Sequence, residues 1–207
     1  DGLRAAADRC GALLILDEVI SGFRLGPGGA QERFDVRGDI VMLGKILGGG
    51  LPVAALAARG EILDRLAPVG DVYQAGTLSG NPIAMAAGIA TLDLVRRDPS
   101  LYERLQERAR TLVRGLVDAA DVARQPMVAS AIGALAGFFF ADEEVNDYAA
   151  AKATDPETYA RFFRGMLERG IYLPPSRFEA LFISDAHTDQ HIERVANAAS
   201  EVLSSSV

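Results

Sequence analysis

Apolar positions along the 207-residue chain fall into two kinds of pattern, and each predicts a different element. Unbroken apolar runs dominate the first hundred residues. ALLIL (12–16) ends at Asp17-Glu18, and Asp39-Ile-Val-Met-Leu ends at Gly44-Lys45. Runs of this length, bounded by glycine and acids, are the pattern of strands buried on both faces. Leu51-Pro-Val-Ala-Ala-Leu-Ala is a third such stretch. A helix is predicted over residues 3–10, stopped by Gly11, and a short one over 59–66. Residues 22–38, rich in Gly, Pro and charge, read as loop. Spacings of three and four residues mark the longer helices. One is predicted over 83–96 after the Asn81-Pro82 start signal, and another over 99–120.

The texture changes near residue 100. Ile132 to Phe140 is predicted as one strand, and 141–156 as an acidic turn region. A helix over 156–169 is stopped by Gly170. Ile171-Tyr-Leu and Leu181-Phe-Ile-Ser read as short strands. Thr188 is placed to cap a last helix running to about Leu203, ahead of a short serine tail at 204–206. The order predicts an α/β fold: part of a sheet with helices on both faces over 1–99, then a small α+β domain over 100–207.

Composition narrows the function. Hydrophobic residues are 49% and charged residues 24%, which excludes a disordered chain. The net charge of −7 offers no basic surface for a phosphate backbone, so no nucleic-acid partner is expected. No apolar run approaches the ~18 residues of a membrane span. The lone Cys10 and the absence of a leader-like N-terminus predict a reducing, cytoplasmic setting. There are only two lysines, Lys45 and Lys152, in a chain whose other basic residues are all arginine. A lysine kept among Leu43, Ile46 and Leu47 therefore asks for a reason. In such surroundings desolvation is expected to favour its neutral, nucleophilic amine.

Asp17 and Lys45 both close predicted strands, and open α/β sheets bind ligands at the carboxyl ends of their strands. An amine and a carboxylate there match the needs of pyridoxal phosphate: one holds the aldehyde, the other keeps the ring nitrogen protonated. A loop acid and a rim lysine are the plainer alternatives. A phosphate-binding P-loop fails on spacing, because Gly38 and Gly44 are too far apart and Ile46 follows the lysine. The segment Gly76-Thr77-Leu-Ser-Gly-Asn81 precedes a helix and reads as an anion site or as an ordinary capped start. His187 and His191 lack the pattern of a metal site, and none is expected.

LLILDEVISGFR (13–24), LGKILGGGLPVAALAARGEIL (43–63), YQAGTLSGNPIAMAAG (73–88) and GIYLPPSRFEALFISDAHT (170–188) together resemble class III, fold type I pyridoxal-phosphate enzymes. The second pair of motifs lies closer to the aminomutases of that class than to its ω-aminotransferases. The resemblance implies the C-terminal part of a mostly parallel large domain followed by the small domain. It implies that Lys45 is the Schiff-base lysine, Asp17 the pyridine-nitrogen carboxylate, and Val19 a residue packed against the ring. Gly76 and Thr77 match the loop that reaches the cofactor phosphate of a neighbouring subunit, which makes a homodimer with shared active sites. Glu179 matches a glutamate facing the substrate, flanked by Ser176 and Arg177. The implied reaction is an intramolecular amino transfer that turns glutamate-1-semialdehyde into 5-aminolevulinate for tetrapyrrole synthesis, cycling between pyridoxal and pyridoxamine phosphate. The alternatives are an ω-aminotransferase and an inactive truncated chain.

Two kinds of departure accompany the resemblance. Ala54 to Ala58 stand where relatives usually carry glycines, a change of small for small. Arg177 replaces a smaller residue and Leu181 a glycine, and both lie beside Glu179. Members of the class are roughly twice this length, so the chain reads as a fragment, inactive alone. It lacks the Ser-Gly-Thr phosphate loop, the ring-stacking aromatic residue and the lid.

Overall fold

A computed structural model of the chain describes residues 2–205; Asp1, Val207 and Ser206 of the serine tail lie outside the described residues. The chain divides into two units, Asp1–Pro99 and Ser100–Val207.

In the first unit α1 (Gly2–Cys10) leads into three strands, β1 (Ile15–Asp17), β2 (Ile40–Leu43) and β3 (Ala55–Ala58), joined in the order β1-β2-β3. The first pairing is parallel, with Ile15 opposite Ile40 and Asp17 opposite Met42. The second is antiparallel, with Leu43 opposite Ala55. Asp39 pins α1 to the start of this sheet. Its carboxylate accepts from the Leu14 amide at 2.8 Å and from Arg4 at 2.7 Å. A 3₁₀ turn over Lys45–Gly48 follows β2, then α3 (Gly60–Leu63) and α4 (Pro82–Arg97). Asn81 caps α4, its side chain accepting from the amides of Ile83 and Ala84. Gly88 lets α4 lie close to the 3₁₀ turn, since a methyl there would stand 2.7 Å from the Leu47 carbonyl oxygen.

Two predictions fail here. The 22–38 segment contains a helix, α2 (Gly29–Phe34). Its glycine-rich start hid it, because the group that caps it lies far back in the sequence. The strands are also not buried on both faces: Leu13 is 52% and Ile15 55% exposed, and Leu25 and Ala84 are the buried apolar side chains among the described residues of this unit. The crossover from β1 to β2 offers only the six residues of α2 as a helix, too little to cover a sheet face.

The second unit has a full core. The amphipathic α5 (Leu101–Val122) and α8 (Asp189–Ser204) pack on a hairpin, β4 (Val128–Ile132) and β5 (Leu135–Phe139), and on α7 (Pro156–Glu168). Leu112, Leu116, Phe138, Phe162, Met166 and Ile192 are buried together. Phe138 and Phe140 meet Phe162 edge-on at 5.7 and 5.3 Å between ring centres, a favoured aromatic geometry. β6 (Leu181–Phe182) adds to β5, giving the order β4-β5-β6. Asp155 caps α7. Thr188 and His191 form a reciprocal capping box on α8.

The strand predicted over 132–140 is present as β5, starting three residues later; Ile132 instead ends the unpredicted β4, and the chain turns at Gly133 to form the hairpin. The acidic 141–156 stretch holds a short helix, α6 (Tyr148–Ala153), capped by Asp147. Ile171-Tyr-Leu forms no strand. The Ile171 amide donates to the Met166 carbonyl at 2.9 Å, so the segment closes the end of α7 rather than joining a sheet. The later predicted strand shrinks to the two residues of β6.

Candidate active site

Parallel pairing brings the carboxyl ends of β1 and β2 together. Asp17 is the last residue of β1 and sits opposite Met42, three positions before Lys45. Adjacent strands run ~4.8 Å apart, so both residues occupy one edge of the sheet. The Glu18 amide continues the ladder by donating to the Met42 carbonyl at 2.9 Å. Asp17 Oδ1 accepts from the Val19 amide at 2.9 Å, which fixes a tight turn beyond the strand. Val19 packs toward Gly44, where an added methyl would stand 3.4 Å from its Cγ1. Lys45 takes a left-handed backbone, φ 46°. That conformation is uncommon for a residue with a side chain.

The structure thus gathers Asp17, Val19 and Lys45 at one sheet edge. It does not build the predicted apolar wall, because Asp17 and Lys45 are both exposed. Leu43 turns toward Gly22, where its Cδ2 would meet an added methyl at 2.6 Å.

Gly76 and Thr77 lie in the same unit, on an exposed loop that ends at the cap of α4. The Ser79 amide donates to the Gly76 carbonyl at 3.0 Å and closes its turn. Glu179 belongs to the second unit and is exposed. Its amide donates to the Ser176 carbonyl at 3.1 Å. Arg177 is already engaged. Its Nε donates to Thr154 Oγ1 at 3.0 Å and its guanidinium lies 4.4 Å from the Phe178 ring centre. Tyr159 donates its hydroxyl to the Pro174 carbonyl at 2.7 Å. Burial, with a smaller effect of the Glu179 charge, pushes its phenol up to about 12. A groove of about 650 Å³ beside these residues is lined by Tyr172, Pro174, Glu179, Phe182, His187 and Arg194.

Sequence reasoning overlooked Glu18. It is 2% exposed, and its carboxylate takes the amides of Ala30 and Gln31 at the start of α2. The available signal was an acid doublet at a strand end followed a dozen residues later by Gly28-Gly29-Ala30. Among the described residues no cluster of three or more His, Cys, Asp or Glu forms a metal site, and no helix is long and apolar enough to cross a membrane.

These features place a carboxylate and an amine at the strand tips of an α/β sheet. The sequence profile of the aminotransferase class-III family matches residues 1–199, and the chain belongs to that family. It is 53% identical over 200 residues to a glutamate-1-semialdehyde 2,1-aminomutase of Desulfosudis oleivorans, covering 97% of this chain and 47% of that protein. A protein of the same name from Syntrophobacter fumaroxidans is 54% identical over 199 residues, covering 96% of this chain and 46% of its own length. Among solved structures, an omega-transaminase from Sphaerobacter thermophilus superposes with a TM-score of 0.88 at 26% identity, over 98% of this chain and 46% of that one. A glutamate-1-semialdehyde-aminomutase from Pseudomonas aeruginosa superposes with a TM-score of 0.84 at 25% identity, over 98% of this chain and 46% of that one. The chain spans about half the length of the relatives it matches.

Proposed function

We propose that the protein carrying this chain converts glutamate-1-semialdehyde to 5-aminolevulinate by intramolecular amino transfer, using pyridoxal and pyridoxamine phosphate. The observation that carries the reading is the placement of Lys45 and Asp17 at the ends of adjacent parallel strands. The local residues suit the cofactor: an exposed amine, an exposed carboxylate one strand away, and a branched apolar side chain, Val19, beside them. When bound, pyridoxal phosphate supplies an electron-withdrawing ring that stabilises negative charge on a substrate carbon. Lys45 Nζ would hold that group and would move a proton on the substrate side as a general acid–base. Asp17 would keep the ring nitrogen protonated, and Val19 would limit where the ring can lie. Glu179 acts on the substrate side.

Gly76 and Thr77 serve a second copy of the chain in this reading, reaching the phosphate in its site. Support comes from the exposure of the loop and of Ile83 and Ile89 on the helix that follows. A homodimer with shared sites, in a cytoplasmic setting, completes the proposal.

The likeness to an omega-transaminase favours a second reading, in which the amino group passes to a separate acceptor. One assay separates the two. The protein is given glutamate-1-semialdehyde with no keto acid present, and 5-aminolevulinate is measured. Product under these conditions supports the aminomutase; turnover only after pyruvate or 2-oxoglutarate is added assigns an aminotransferase.

A further inference from the structure

Glu18 sits between Asp17 and Val19, yet its side chain serves neither the strand nor solvent. It is 2% exposed and spends both oxygens on three donors. Oε2 accepts from Ser21 Oγ at 2.5 Å and from the Ala30 amide at 2.9 Å, and Oε1 accepts from the Gln31 amide at 2.8 Å. Its backbone is equally engaged: the amide donates to Met42 on β2, and the carbonyl accepts from Gly22 at 2.8 Å. One residue therefore ties together the end of β2, the turn after β1 and the start of α2. Gly29 shows how closely the knot is drawn. It has φ 66°, and a methyl added there would stand 2.5 Å from Glu18 Oε2.

We infer that Glu18 is a positioning residue, which sets where Asp17 and Val19 stand relative to Lys45. The inference rests on reading Lys45 and Asp17 as the cofactor-holding pair. Its physical basis is that Glu18 is buried, whereas Asp17 is exposed and Val19 only half-buried. The Asp17 carboxylate accepts from the Val19 amide. That pair can shift as a unit unless the residue between them is fixed. Position matters at this scale, because a misplacement of about 1 Å can cost ~100-fold in rate.

Glutamine at position 18 is the sharpest test. It is nearly isosteric, but its NH₂ replaces one accepting oxygen and must face a donor in a buried site. The native protein is compared with Glu18→Gln and with Ser21→Ala, which removes one bond and leaves the amides of α2 capped. Three quantities are read: kcat against KM, the pH dependence of the bound cofactor's absorption, and the borohydride-fixed adduct on the Lys45 peptide. We expect Glu18→Gln to lower kcat by ~10–100-fold with KM nearly unchanged. We expect the spectral pH profile to shift as Asp17 loses its alignment, with the adduct still on Lys45. Ser21→Ala should move the same readouts in the same direction by less, and it carries the test if Glu18→Gln does not fold. Variants that melt earlier but keep the native kcat and the native spectral profile would overturn the inference, leaving Glu18 as a staple of the fold. Absence of a Lys45 adduct in the native protein would instead remove the reading beneath it, an outcome seen before any variant is made.

Discussion

Asparagine in place of Asp17 keeps the oxygen that receives the Val19 amide, and this separates the chemistry of the residue from its local bond. Asp17→Asn should leave the melting temperature almost unmoved, since exposed positions usually change stability by no more than ~0.5 kcal/mol. Turnover should fall on the order of 100-fold, the scale at which loss of one aligned charge-stabilising group is felt. Equal losses in both would make Asp17 a turn residue only. Tyr159 allows a test at the other end of the pH scale. The folded state holds the phenol proton more tightly than the unfolded chain, whose tyrosines ionise near pH ~10. Its contribution to stability is therefore complete below that value and is lost as pH climbs toward about 12. Following helix content and tyrosinate absorption together should show the two changes coinciding, and Tyr159→Phe should remove the late component. The same substitution leaves the Pro174 carbonyl without its donor and should cost about 1 kcal/mol at neutral pH.

Elements here are joined by side chains that reach across long sequence distances. α1 meets the sheet through Asp39, which the Leu14 amide, and then Arg4, holds below the usual carboxylate range. The folded chain thus prefers the ionised form. The stability this supplies is full above about pH 4 and disappears as pH falls further. Asp39→Asn should flatten that acid limb and lower the melting temperature at neutral pH, as scans from pH 3 to 7 would show. This kind of link also explains what the sequence reveals and what it hides. Asn81 and Thr188 announce their helices because each caps an element that begins at the next residue. The start of α2 is capped from Glu18, before the intervening loop, so no local pattern marks it. The strand tips carrying Asp17 and Lys45 were legible because an apolar run and a terminal charge lie side by side. β4 was not, since Ala129, Ser130 and Ala131 give it little apolar signal. The burial of β1 was misjudged for a different reason: an apolar run states what a strand prefers to contact, not what the chain supplies.

At the scale of the whole molecule the two units are unequal. The candidate chemistry of Lys45 and Asp17 lies in the unit with few buried apolar side chains, whereas α5, α7, α8 and the hairpin enclose a continuous core. Hydrogen exchange should follow that division. The slowest amides should fall in α5, β5 and α8, and those of β1 and α2 should exchange much sooner; equal protection in both units would contradict it. Lys45 adds a contrast of another kind. A left-handed backbone costs a residue with a side chain on the order of 1 kcal/mol and glycine almost nothing. Lys45→Gly should therefore melt above Lys45→Ala by ~2–4 °C, with both unable to retain the cofactor. If so, thermal endurance alone would favour glycine at this position, and the lysine that stands there answers a demand that endurance does not make.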